Sequence, residues 1–115
     1  MKKIIFALPV LAASLIFMNC HSSRKATASA PAASSFQNDL LPVITQNCSP
    51  CHIPDKGGNK KAYDNFANVH SDIDEIIRRI ELHPGERGFM PFKRQRLEDS
   101  TIMVFKKWKQ DGSIN

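Results

Sequence analysis

The chain has 115 residues, 23% of them charged and 42% hydrophobic, which is the make-up of an ordinary soluble domain and leaves room for at most one. Its formal charge of +5 falls to +3 once Lys2 and Lys3 are set aside, leaving fourteen Lys and Arg against eleven Asp and Glu. No interleaving of basic with aromatic residues accompanies that charge, so the sequence excludes the usual footprint of a nucleic-acid binder.

Residues 1–20 read as a targeting segment. Lys2 and Lys3 precede an almost wholly apolar run from Ile4 to Met18. The run is too short to span a bilayer comfortably, for which about 20 residues are needed, and it fits an export signal. It has no amphipathic stripe, which argues against a core helix. Cys20 closes the run, and this layout resembles a lipobox, in which the cysteine is lipidated and becomes the mature N-terminus. Phe17 and Asn19 depart from the usual residues of that motif. Ordinary cleavage after Ala26-Thr27-Ala28 is the alternative. The expectation is an exported protein on the periplasmic side, anchored to the membrane through lipidated Cys20. Either processing route leaves two of the three cysteines, Cys48 and Cys51. Residues 21–35, rich in Ala, Ser, Thr and Pro and without periodic apolar residues, read as a flexible linker of roughly 20–25 Å.

The folded domain is expected over residues 36–115 as four helical segments with no strand. The first spans about Gln37 to Asn47, with Ser34 or Ser35 as N-cap; Pro42 allows a start near Leu41 instead. Residues 53–61 form a basic loop punctuated by Pro54, Gly57 and Gly58. A short second helix is expected from Ala62 to Asn68, with Tyr63 and Phe66 turned inward. The third starts at Ser71 as N-cap, with Asp72, Asp74 and Glu75 in its first turn, a stripe of Ile73, Ile76, Ile77 and Ile80, and His83-Pro84-Gly85 as its stop. An irregular stretch over residues 85–96 holds Gly88-Phe89-Met90-Pro91. The last helix runs from about Asp99 to Gln110, follows a poor cap at Glu98, and ends at Gly112. Ile102, Met103, Val104, Phe105 and Trp108 form its apolar face, and it is expected to pair with the first helix.

Between the first two helices lies Cys48-Ser49-Pro50-Cys51-His52. Two cysteines three positions apart and an adjoining histidine have the spacing for covalent attachment of a c-type haem. Two thiols add across the two vinyl groups on one porphyrin edge, and the neighbouring neutral imidazole reaches the iron from the proximal side.

Taken together, the signal, the helix, Cys-x-x-Cys-His, the Met-Pro loop and the terminal aromatic helix resemble a class I monohaem cytochrome c, over about eighty residues. The resemblance implies a small all-α cytochrome c fold of three to four helices wrapped around one covalently bound haem c. It makes Cys48 and Cys51 the thioether residues, His52 the proximal ligand and Met90 the distal one. It implies an electron-transfer protein rather than an enzyme, monomeric, passing electrons between redox protein partners. A thioether favours ferrous iron relative to a second histidine and so raises the potential.

Other readings of the same residues stay open. His83 or His70 could replace Met90 as distal ligand, although both read as surface residues. Cys48 and Cys51 could act as a thiol-disulfide redox pair, but that chemistry is housed in a βαβ core and no strand pattern is present. Zinc held by Cys48, Cys51, His52 and a further histidine would need a well-placed fourth ligand. Met103, Phe105 and Trp108 read as core, with Phe105 and Trp108 also candidates for packing on the haem edge. Lys56, Lys60, Lys61, Lys93, Arg94 and Arg96 flank the two ligand segments and could steer an acidic redox partner.

Overall fold

The computed structural model describes residues 32–115; the signal segment, Cys20 and the linker up to residue 31 lie outside the described residues. The first helical segment begins at Ser35. Its hydroxyl accepts the Asn38 N–H at 3.2 Å, and the Asp39 carboxylate accepts the Ser35 N–H at 2.7 Å, so two otherwise orphaned donors are satisfied. The first turn, Phe36–Leu40, is a π turn, and it leads into α1, Leu41–Asn47. Pro42 lies in the first turn of α1. Having no N–H, it cannot extend the hydrogen-bond ladder back into the preceding turn, which is the wide one.

The second and third expected helices are a single helix, α2, Phe66–Glu81. Ser71 is not its N-cap. Asn65 is, accepting the Asn68 N–H at 3.1 Å, while the Ser71 hydroxyl donates back to the Asn68 carbonyl at 2.9 Å inside the helix. The expected helix over residues 62–68 is therefore absent before Phe66. The acids after Ser71 stand in mid-helix and are held by ion pairs instead: Asp72 with Lys61, Asp74 with Lys109, and Glu75 with both Arg78 and Arg79. The buried face of α2 is Val69, Ile73, Ile76 and Ile80, spaced at helical intervals.

Helix α3, Asp99–Gln110, buries Ile102, Phe105 and Trp108. Glu98 makes no side-chain cap, as its type suggests. Gly112 follows the helix in the left-handed region at φ 97°. Its N–H and that of Ser113 reach the Lys109 and Trp108 carbonyls, a Schellman ending that a glycine adopts without Cβ strain. Met103, expected in the core, is 55% exposed. It sits about 100° around the helix from Ile102, on the side away from Phe105.

Helices and turns account for the regular structure of the described residues, with a short 3-10 turn at Pro54–Lys56 and one isolated bridge between Ser35 and Ile114. The fold is all-α. The first and last segments close on each other as expected. Phe36, fully buried, lies 6.1 Å from Trp108 and edge-on to Phe66 at 5.7 Å, and Phe66 meets Trp108 edge-on at 6.0 Å. Such offset and edge contacts are the favoured aromatic geometries. One carbonyl, that of Ile114, accepts both the Phe36 N–H at 2.8 Å and the Trp108 indole N–H at 2.7 Å. Ser34 also donates its N–H to the Asp111 carboxylate at 2.7 Å, so the packed domain reaches two residues into the expected linker.

Candidate functional site

A cleft of about 750 Å³ opens between the end of α1, the loop after it, one face of α2 and the stretch around Met90. That is the size of a pocket for a substantial organic ligand, typically about 300–1,000 Å³. Cys48, Cys51, His52 and Met90 all line it. Ile76, Ile80 and Leu97 supply apolar wall, and Arg79, Arg94, Lys60 and Lys61 supply cations.

Helix α1 delivers the first of these residues. Cys48 is its C-cap, with its N–H on the Ile44 carbonyl at 2.7 Å, and the His52 N–H returns to the Cys48 carbonyl at 3.0 Å. Ile53, nearly fully buried, pins the end of the motif into the core. Both thiols are free, Cys51 exposed and Cys48 partly buried. Burial pushes the Cys48 thiol up to about 11, with Arg94 pulling the other way.

His52 is held on two sides. Its ring stacks on Tyr63 at 4.4 Å between centroids, with 4° between the planes. Its Nδ1 lies 2.8 Å from the Lys61 carbonyl oxygen. A carbonyl can only accept, so Nδ1 carries the proton in this bond, and in the neutral imidazole Nε2 is then the nitrogen with the lone pair. That is the tautomer an iron-binding imidazole needs, and the bonded carbonyl makes it a better donor. The sequence reading placed Tyr63 inward but did not link it or Lys61 to His52.

Met90 is tied to α2 through its N–H, which bonds the Arg79 carbonyl at 3.2 Å. The Met90–Pro91 and Ser49–Pro50 peptide bonds are cis. Met90 also borders a second cleft of about 440 Å³, which it shares with Phe92 and Arg94.

Polar side chains near the mouth of the main cleft form a network. Lys61 Nζ bonds Asp72 at 2.8 Å and Ser71 at 3.1 Å, and the Tyr63 hydroxyl donates to Asp72 at 3.3 Å. Lys61 and then Ser71 hold the Asp72 carboxyl below its ordinary value. Burial, followed by the neighbouring Asp72 charge, pushes the Tyr63 phenol up to about 12. Hydrogen bonds from Arg78 and then Arg79 lower Glu75 from 4.5 to about 2. A depressed carboxyl stabilises the fold above its unfolded pKa, and that contribution disappears as pH falls through the folded value. The Glu75 side-chain carbon resonance is therefore expected to titrate near pH 2. Glu75→Gln is expected to flatten the acid limb of a stability curve between about pH 4.5 and 2. A Glu75 midpoint near 4.5 would contradict the paired geometry.

The remaining candidates lie elsewhere. His70 is on α2 rather than before it, exposed, with its ring 5.6 Å from Phe66 and 6.5 Å from Trp108. His83 is exposed after α2, its N–H bonded to the Glu86 carboxylate. Neither lines the cleft, and neither do Phe105 and Trp108, which pack in the core and not at a ligand edge. Among the described residues no three of His, Cys, Asp and Glu are grouped to hold a metal ion, so Cys48, Cys51 and His52 gain no zinc-completing partner. The basic set changes too. Lys61 pairs with Asp72 and Arg96 with Asp99. Of the basic residues described, Lys56, Lys60, Arg87, Lys93 and Arg94 have no carboxylate partner, and all five lie on the two loops that carry the motif and Met90.

Comparison with known proteins finds no matching family model, no matching curated protein and no matching solved structure, so the chemistry of the site rests on its own residues.

Proposed function

We propose that the domain is an exported electron carrier holding one c-type haem, anchored to the membrane through Cys20. The observation that carries this is the convergence of Cys48, Cys51, His52 and Met90 on one cleft with apolar walls, together with an imidazole whose Nε2 is left free to bind iron. The residues fit the group: two thiols for the vinyl edges, a nitrogen and a thioether for the two axial positions, and Arg94 and Lys60 as unpaired cations for the carboxylates. The haem supplies a one-electron couple. Cys48 and Cys51 would fix its position, His52 and Met90 would be its nitrogen and thioether ligands, and Met90 and the His52–Lys61 bond would tune its potential. No catalytic role is assigned to any residue.

Partner docking follows from the same surface. Phe92 is 66% exposed, with Lys93 Nζ 5.3 Å above its ring, and the five unpaired bases surround the ligand-bearing loops. A cationic surface that also carries an exposed aromatic suits an acidic redox protein, whose approach it would accelerate in a salt-dependent way.

The dithiol reading draws less support. A nucleophilic cysteine needs a lowered pKa, whereas burial raises that of Cys48. The described residues also contain no strand from which a βαβ core could be built.

The test is potentiometry on Met90→Ala. Its midpoint potential is expected to fall by about 59 mV or more, one tenfold change in the ferrous-to-ferric preference, with loss of the far-red thioether band of the oxidised protein. An unchanged band and potential would move the distal site away from Met90.

A further inference from the structure

Gly57 and Gly58 look alike in the sequence, but their surroundings differ. Gly57 ends the 3-10 turn at φ 83°, and a Cβ there would meet nothing within 4 Å. It is required by conformation alone. Gly58 is required by space. A Cβ on Gly58 would lie 2.3 Å from the Pro50 carbonyl oxygen, 2.7 Å from that of Cys51 and 2.8 Å from that of Ile53. All three obstacles are backbone atoms of the haem-attachment segment, so no side-chain rotation relieves the clash.

Beyond Gly58 the chain doubles back along that segment. The Gly58 N–H bonds the Ile53 carbonyl at 3.0 Å, the Lys60 N–H bonds Cys51 at 3.0 Å, and the Tyr63 N–H bonds His52 at 2.9 Å. The Lys61 carbonyl that fixes the His52 tautomer sits in the same run.

We propose that Gly58 is a positioning residue for the prosthetic group: its missing side chain lets residues 58–63 close on residues 50–53 and so sets the length of the His52 Nδ1–H to Lys61 carbonyl bond. This rests on the electron-carrier reading. A shorter bond makes the imidazole a stronger donor and favours ferric iron. Forcing the two segments apart lengthens it and favours the ferrous form.

The experiment compares the haem-loaded wild type with Gly58→Ala and Gly57→Ala, measuring midpoint potential and amide hydrogen exchange. Gly57→Ala strains the same loop without the clash. The expected result is a raised potential for Gly58→Ala and exchange at least tenfold faster at Lys60 and Tyr63, with the potential unchanged and exchange changed less in Gly57→Ala. A haem-loaded wild type alongside a Gly58→Ala variant of unchanged potential and exchange would overturn the role of Gly58 alone. Failure of Gly58→Ala to fold where Gly57→Ala folds would assign it to general stability and overturn the role as well. A wild type that takes up no haem would overturn the carrier reading, and this inference with it.

Discussion

The Cys48→Ala, Cys51→Ala double variant is expected to yield protein with no covalently held haem and a sharply less stable fold. In a chain of 115 residues, a folded domain over residues 36–115 has little stability to spare, domains in general having only about 5–15 kcal/mol. The cleft is walled on one side by Ile76 and Ile80, two of the four residues of the buried face of α2. A ligand tied to Cys48 and Cys51 would cover this wall and join the end of α1 to α2 through its own body. Without the thioethers that cover would depend on the His52 and Met90 bonds alone. Heme staining after denaturing electrophoresis and thermal melting of both proteins check this. A double variant that keeps its haem through denaturation and melts with the wild type would contradict covalent attachment at these residues.

Trp108→Ala is expected to cost about 3–5 kcal/mol, the range for removing a large aromatic from a core. Trp108 is fully buried between Phe36 and Phe66. Its indole N–H also donates to the Ile114 carbonyl, which receives the Phe36 N–H as well. Truncation thus opens a cavity where the π turn, α2 and α3 meet and removes the bond that holds the Ile114 carbonyl, the acceptor of the Phe36 N–H, against α3. Met103→Ala, on the side of α3 away from Phe105 and 55% exposed, is expected to stay within about 0.5 kcal/mol. Denaturant melts of the two variants separate the cases. Equal losses would mean that α3 packs by a different face.

How much of this was legible in the sequence varied with how local the cause was. α1 and α3 could be read because their apolar residues recur at helical spacing and their ends carry local signals, Pro42 and Gly112. The start of α2 could not. Ser71 followed by acids imitates an N-terminus, and only the ion pairs that Asp72, Asp74 and Glu75 make with Lys61, Lys109 and the two arginines explain why the helix runs through them. Met103 was misplaced because a run of Ile, Met, Val and Phe does not say how wide the buried face is. At the site, Cys48, Cys51 and His52 announce themselves by spacing, and Met90 entered through resemblance to a known family. Gly58, the Lys61 carbonyl and the Arg79 carbonyl could not be read at all. Their roles come from backbone atoms brought close by the return of the chain, and backbone atoms leave no mark on residue type.

The measurement that bears most directly on the central claim is the reduced-minus-oxidised visible spectrum of the full chain, produced in a host with haem-attachment machinery, before and after acid–acetone extraction. Sharp reduced bands that remain with the polypeptide after extraction are expected, with a weak far-red thioether band in the oxidised protein. Colour that leaves with the solvent, or a protein with no visible bands, would contradict it and return Cys48 and Cys51 to thiol chemistry.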